Sequence, residues 1–326
     1  MRILVIGATG HIGSYLVPRL VKAGHEVVAM SRGERQPYVD DDSWQAVERV
    51  SIDRGSEDEA GTFGTQVLRH HADAVVDLLC FTRSSAQSLL DALRDSDSYL
   101  LHCGTIWVHG PGVEVPTTED APRRPFGAYG IEKAEIERLL VAETKAGRLR
   151  ATVLHPGHIV GPGWHPVGPA GNFSLEAFSR LAQGDELALP CFGLETVHHV
   201  HADDVAHAFE LALDRPSLAV GQSFHVVSPR ALTLRGYAEA VASWFGQPAR
   251  LRYLPWDSWR STVGEQDAED TLGHITHSPC MSIEKARNVL GYAPRYSSLE
   301  AVHESVAWLV ADGAIDTGGR SLSTFT

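Results

Sequence analysis

The chain opens Met1-Arg2-Ile3-Leu4-Val5-Ile6-Gly7-Ala8-Thr9-Gly10-His11-Ile12-Gly13, and this stretch decides the fold. Residues 3–6 are apolar without strict alternation, the pattern of a strand buried on both faces. Three glycines spaced three apart follow, and a helical pattern over 12–23 comes next. Such a turn lets bare backbone approach a pyrophosphate, which then lies at the positive N-terminal end of the helix. The glycine spacing alone is a weak signal. Strand, turn and helix in that order make it a dinucleotide signature, with Gly7, Thr9, Gly10, His11, Ile12 and Gly13 as the contacts.

Working outward, short apolar runs at 27–30, 74–79, 99–102 and 151–154 alternate with helical patterns at 65–71, 84–94 and 129–146. The β-α order predicts an α/β chain built as a Rossmann-like, doubly wound parallel sheet. Residues 161–171 are dense in Gly and Pro and read as irregular. Helices are expected at 175–182, 203–213, 234–245, 283–290 and 299–311, with strands near Leu187 and at 197–200 and 223–227. The domain expectation is a nucleotide-binding body over 1–165 plus about 198–228. A smaller α-rich C-terminal substrate lobe would take about 166–197 and 229–326.

After the second strand comes Met30-Ser31-Arg32-Gly33, with no carboxylate at the strand end. An acidic group there would bind a ribose diol, whereas arginine accommodates a 2′-phosphate. NADP is therefore favoured over NAD, with Ser31 and Arg32 as contacts, although Arg32 also reads as a loop cation or an adenine-stacking group. Asp53 is either an adenine contact or a turn residue, and Leu78 and Leu79 close the strand at 74–79 as further cofactor contacts. In Tyr129-Gly130-Ile131-Glu132-Lys133, a tyrosine and a lysine four apart share one helix face. An adjacent ammonium favours the phenolate and would lower the phenol pKa toward that of a general base. The lysine could also hold a cofactor ribose.

With these motifs in this order, the sequence resembles the extended branch of the short-chain dehydrogenase/reductase superfamily, which includes the epimerase/dehydratase group. Leu101-His102-Cys103-Gly104-Thr105-Ile106-Trp107-Val108-His109-Gly110 resembles the segment carrying that family's hydroxyl residue. The resemblance implies that Thr105 hydrogen-bonds the reacting oxygen, Tyr129 transfers its proton, and Lys133 supports both Tyr129 and cofactor. Read alone, Thr105 is a strand-end hydroxyl. Pro156-Gly157-His158-Ile159-Val160-Gly161-Pro162-Gly163 resembles the segment lining the nicotinamide, which adds Pro156 and His158 as cofactor contacts. His201-Ala202-Asp203-Asp204-Val205-Ala206 and Leu290-Gly291-Tyr292-Ala293-Pro294 extend the likeness over nearly the whole chain.

Departures bear on the substrate. Family members acting on nucleotide-diphosphate sugars carry an Arg where this chain has Val197, and an Arg-Pro-Gly-Asp run where it has Thr276-His277-Ser278-Pro279-Cys280. Each charge-assisted bond to a guanidinium is worth about 1.5–3 kcal/mol, so the diphosphate loses two anchors. Asn172 stands where those enzymes carry an Asn. Cys80, Trp107 and Asn172 are the candidate substrate contacts, and Trp107 and Trp164 read equally as pocket walls or core.

The 326 residues carry a formal charge of −13 and are 43% hydrophobic and 21% charged. That supports a sizeable core and argues against a non-specific nucleic-acid binder, which needs cations to neutralise phosphates. Four cysteines without a C-x-x-C pair form neither a disulfide framework nor a zinc ribbon. A strand stands where a signal peptide would, and no apolar run is long enough to span a membrane, so a cytoplasmic protein is expected. His198-His199-Val200-His201 invites a metal but lacks a third ligand at fixed spacing, and none is expected. The functional expectation is an NAD(P)-dependent oxidoreductase of the epimerase/dehydratase type, moving hydride at a carbinol or carbonyl carbon of a small polar, sugar-like substrate, with a homodimer as the candidate assembly. The alternatives are a nucleotide-sugar epimerase or dehydratase that recycles its cofactor in place, and a non-catalytic dinucleotide-sensing or RNA-associated protein.

Overall fold

The computed structural model describes residues 1–94 and 96–325. The first half alternates as expected: β1 (Arg2–Ile6), α1 (His11–Lys22), β2 (Glu26–Ser31), β3 (Glu48–Ser51), α2 (Arg54–Glu59), α3 (Phe63–Leu68), β4 (Ala74–Asp77), α4 (Arg83–Leu93), β5 (Tyr99–Cys103), α5 (Gly127–Lys145) and β6 (Arg150–Pro156). Then follow β7 (His158–Val160), α6 (Glu176–Gln183), β8 (Glu186–Pro190), β9 (Thr196–Val197), β10 (His199–His201), α7 (Ala202–Asp214), α8 (Pro216–Ala219) and β11 (Ser223–Val226). The chain finishes with β12 (Leu232–Thr233), α9 (Leu234–Trp244), β13 (Arg250–Leu254), α10 (Trp256–Arg260), α11 (Glu265–His277), α12 (Glu284–Leu290) and α13 (Ser298–Ala311).

Seven strands form one parallel sheet in the order β11-β6-β5-β4-β1-β2-β3. The absence of alternation in the apolar runs has a direct cause. Ile3 and Val5 of β1 enter the core under α1, α7 and α12, while Leu4 and Ile6 enter the opposite core under α3, α4 and α5. Successive side chains point to opposite faces, and here both faces are covered. The strand order reverses between β1 and β4, and a ligand crevice opens at the carboxyl ends of strands flanking such a point.

Departures from expectation lie where apolar signal is missing. The stretch 197–200 does not form one strand: β9 pairs antiparallel with β12, and β10 pairs parallel with β7. The third core, which includes Val160, Phe178, Leu189, Tyr237, Trp259 and Val306, belongs to the helix-rich second lobe. Ile283, Ala286, Leu290 and Tyr292 pack into the core of the parallel sheet, so α12 belongs to the nucleotide-binding body. Among the described residues, no helix is long and apolar enough to cross a membrane.

Candidate active site

A cleft of about 1010 Å³ runs along the carboxyl edge of the sheet. Its floor is the glycine turn between β1 and α1. Gly7 has φ +85°, a backbone conformation suited to glycine. A Cβ on Gly13 would sit 2.6 Å from the Gly7 carbonyl oxygen, so this glycine is required for helix and turn to meet. Gly10, by contrast, is crowded only by the Gly7 carbonyl, with the rest of its surroundings open to the cleft. The turn thus offers a cradle that a side chain at Gly10 would fill, at the N-terminus of α1, which suits a pyrophosphate.

Gly7, Thr9, Gly10, His11, Ile12, Gly13, Ser31, Arg32, Asp53, Leu78, Leu79, Thr105, Tyr129, Lys133 and Pro156 all line this one cleft. At its far end Arg32 and Arg35 stand together. Arg32 is more than half exposed and lies 3.2 Å from Glu34, while Arg35 hydrogen-bonds the Tyr38 hydroxyl. Asp53 caps α2, accepting from the Ser56 N–H at 2.9 Å. It serves the turn and faces the cleft at once.

At the other end, Tyr129 stands in the first turn of α5 and Lys133 one turn on. Lys133 is buried, and its Nζ donates to the carbonyls of Cys80 and Cys103, each at 2.7 Å. Burial depresses its pKa. The Tyr129 phenol is pushed up to about 12, chiefly by burial and then by the Cys103 thiol, with the Thr105 hydroxyl pulling the other way. The expectation that Lys133 lowers this phenol is thereby corrected: desolvation dominates, and the phenol keeps its proton at neutral pH. Thr105 has extended backbone, and its Oγ1 accepts from the Trp107 N–H at 3.3 Å, so its own O–H is directed to the Tyr129 phenol.

Four expected contacts lie elsewhere or do other work. His158 does not line the cleft; its flanking residues Gly157 and Ile159 do. Its ring, with both nitrogens unpartnered, packs against Trp107, His199 and His274. Cys80 is buried beneath Lys133, with its thiol pushed up to about 12 by burial. Asn172 is buried, donating to Thr271 Oγ1 at 3.0 Å and accepting from the Ser174 N–H at 3.1 Å, so its amide ties a loop to α11. Trp107 meets the Tyr129 ring edge-on at 6.0 Å and stacks on His277 at 4.1 Å, with Phe126 stacked on the far side of that histidine at 3.9 Å. It backs the Tyr129 ring and is not itself part of the cleft lining. Sequence reading missed Arg35, Arg54, Phe81 and Ser85, which also line the cleft. Arg35 shares the loop of Arg32 and Arg54 follows Asp53, so proximity to named contacts was their available signal.

The histidines of the 198–201 run have separate partners. His198 bonds the Ser228 carbonyl, His199 the Val167 carbonyl, and His201 accepts from the Asp203 N–H. Asp77, Cys80 and His102 do bring donor atoms together in the core. Arg54 Nη1 already lies 2.6 Å from Asp77, so a cation there would meet a guanidinium.

A glycine cradle, a strand-end arginine pair and a threonine–tyrosine–lysine set on one cleft define a dinucleotide-dependent enzyme. Residues 3–226 match the NAD dependent epimerase/dehydratase family, and the chain belongs to that family. The UDP-glucose 4-epimerase of Mycolicibacterium smegmatis is 28% identical over 327 residues, covering 94% of this chain and 97% of that protein. The 2'-dehydrokanamycin reductase of Streptomyces kanamyceticus is 28% identical over 250 residues, covering 76% and 68%. The dTDP-glucose 4,6-dehydratase of Bacillus anthracis, solved in complex with NAD, shares the fold with a TM-score of 0.73 at 18% identity, covering 96% of this chain and 98% of that one.

Proposed function

We propose that the protein uses NADP(H) to interconvert a carbinol and a carbonyl on a sugar-like substrate that carries no diphosphate. The observation that carries this reading is the shared cleft: Thr105, Tyr129 and Lys133 line the same space as the glycine turn. The nicotinamide, when bound, supplies or takes the hydride. Tyr129, protonated at neutral pH, gives its phenolic proton to the carbonyl oxygen in reduction and takes one back in oxidation. With substrate bound, the hydroxyl of Thr105 donates to that same oxygen and fixes its position. Two of the three Lys133 N–H groups are held by carbonyls, and the third is available to a cofactor ribose. Arg32 and Arg35, with Ser31 at the strand end, support NADP over NAD.

The substrate reading rests on the residues packed behind Tyr129. Burial depresses His158, His274 and His277, so the imidazoles packed around Trp107 are neutral. Val197 is buried in the lobe core and offers no cation. These imidazoles lie behind the cleft, so buried His277 and Val197 leave both positions where a diphosphate would need a guanidinium without a cation. The 2'-dehydrokanamycin reductase among the relatives is named for an amine-bearing sugar compound without a diphosphate, which agrees with that class, whereas the UDP-glucose 4-epimerase favours nucleotide-sugar epimerisation with the cofactor kept in place.

The test compares the parent and Tyr129→Phe proteins, each loaded with NADPH, against a panel of keto-sugars, aminoglycoside ketones and UDP-sugars. Turnover of a ketone without a diphosphate, reduced on the order of 10²–10⁴-fold by the substitution, is the expected result. Parent-rate turnover by Tyr129→Phe sinks the catalytic assignment. Turnover confined to UDP-sugars replaces the substrate class with the epimerase reading.

A further inference from the structure

We infer that His11 and Trp164 form an aromatic clasp over the glycine turn, and that this clasp sets how long a bound dinucleotide stays. The inference rests on reading the cleft as the dinucleotide site, and it concerns release rather than chemistry. His11 opens α1 and is 6% exposed; the Pro162 backbone acts weakly on its ring, and neither ring nitrogen has a hydrogen bond of ordinary geometry. A buried ring donor so weakly partnered is costly, and His11 lines the same cleft as Gly10. An imidazole N–H at that place is positioned to donate to an anionic pyrophosphate.

Trp164 supplies the other half. Its ring stacks on His11 with centroids 5.0 Å apart and planes 12° from parallel. It also lines the cleft and is 39% exposed. Tyr38 meets both rings edge-on, at 5.4 Å from His11 and 6.1 Å from Trp164. The strand of chain that brings Trp164 here is built to lie flat. Gly161 has φ +142°, and a Cβ on it would meet His11 Nε2 at 3.2 Å. Gly163 has φ +84°, and a Cβ on it would fall within the Tyr38 ring.

The same segment is anchored to the second lobe. The Gly161 N–H donates to Ser305 Oγ at 2.7 Å, and Ser305 Oγ donates back to the Gly161 carbonyl at 2.9 Å. Ser305 belongs to α13, so the strap carrying Trp164 is tied to the lobe while its ring rests on the nucleotide-binding body. A dinucleotide on the turn must disturb the stacked pair to leave. Aromatic pairs of this geometry contribute enough for roughly a tenfold change in a rate that depends on them.

The experiment measures release directly and needs no substrate. Parent, Trp164→Leu, Trp164→Phe and His11→Ala proteins, with melting curves confirming the fold of each, are loaded with NADPH and chased with excess NADP+ in a stopped-flow fluorimeter. Release faster by about tenfold in Trp164→Leu and in His11→Ala, with association rates within about twofold of the parent, is the expected result. Trp164→Phe, which keeps a ring to stack, should release near the parent rate. The double variant Trp164→Leu/His11→Ala should fall short of the product of the single effects, because each ring is the other's contact. Parent-like release in either Trp164→Leu or His11→Ala overturns the clasp while leaving the cofactor assignment standing. A parent protein that binds no dinucleotide sinks that assignment and the clasp with it.

Discussion

Tyr129 keeps its phenolic proton although the residue is 43% exposed and an ammonium stands nearby. Lys133 lies one helical turn away, but its ammonium is turned onto two backbone carbonyls, and its Nζ is 5.9 Å from the Tyr129 ring centre. Desolvation therefore wins, and the residue is primed as an acid. Gly10→Val should abolish dinucleotide binding while leaving a folded protein, since the new side chain would occupy the open cradle. Calorimetry showing unchanged NADP affinity in a folded Gly10→Val protein would place the phosphates elsewhere. At the other end, Arg32→Ala should weaken NADP at least tenfold more than NAD, the loss of one charge-assisted contact to a 2′-phosphate. Equal weakening of both dinucleotides would make Arg32 an adenine-stacking or loop residue instead.

The element scale shows what keeps Thr105 and Tyr129 in register. His155 of β6 accepts from the Thr105 N–H at 3.0 Å through Nδ1, so its Nε2 carries the proton and donates to Glu137 Oε1 at 3.1 Å. Glu137 stands on α5, one turn beyond Lys133 and two beyond Tyr129. It also accepts from Arg123 at 2.6 Å and 2.9 Å and from Ser223 Oγ at 2.7 Å. Gly104 is needed for this tie, because a Cβ there would run into the His155 ring. Glu137→Ala should cost about 1–3 kcal/mol, since it leaves the buried His155 N–H without its acceptor. Urea unfolding that shows a loss under 1 kcal/mol would mean the network relaxes around the gap. Legibility follows the same logic of elements. β1, β2, β4, β5 and β6 were readable because both faces demand apolar residues, and the Tyr129–Lys133 spacing was readable because a helix puts i and i+4 on one face. β3 (Glu-Arg-Val-Ser) is a largely exposed edge strand with no such signal. α11 buries Thr271, His274 and His277 rather than an apolar stripe, and so escaped notice. His158 was misplaced for a related reason: resemblance located its segment at the cleft, but which neighbours turn inward is a tertiary matter.

Across the whole molecule, buried histidines set the pH range in which the fold is stable. His11 and His199 are pushed down to about 3, His198 to about 4, and His102, His158 and His225 well below the ordinary imidazole value, burial being the first cause in each. Each is neutral in the folded chain and free to take a proton, with a pKa of about 6.5, once unfolded. A group whose folded pKa is depressed contributes stability above its unfolded pKa and loses it as pH falls toward the folded value. The unfolded chain therefore binds more protons below pH 6.5, and each such histidine removes up to about 1.4 kcal/mol per pH unit. Six acting together would remove about 6 kcal/mol over the first pH unit below 6.5 and about 14 kcal/mol over two, which reaches the 5–15 kcal/mol or so that a domain has to lose. Glu137, held below the usual carboxylate range by His155 and Arg123 against the opposing pull of burial, adds to the loss only below about pH 4.5, where its unfolded counterpart protonates. The melting temperature should accordingly be nearly flat from pH 8 to 7 and then drop steeply, with the protein unfolded at room temperature before pH 4.5 is reached. Thermal melts followed by circular dichroism at half-unit steps check this. A midpoint that moves by less than about 5 °C between pH 7.5 and 5 would mean that these imidazoles gain protons inside the folded protein, and that the lobe interface opens to water as the pH falls.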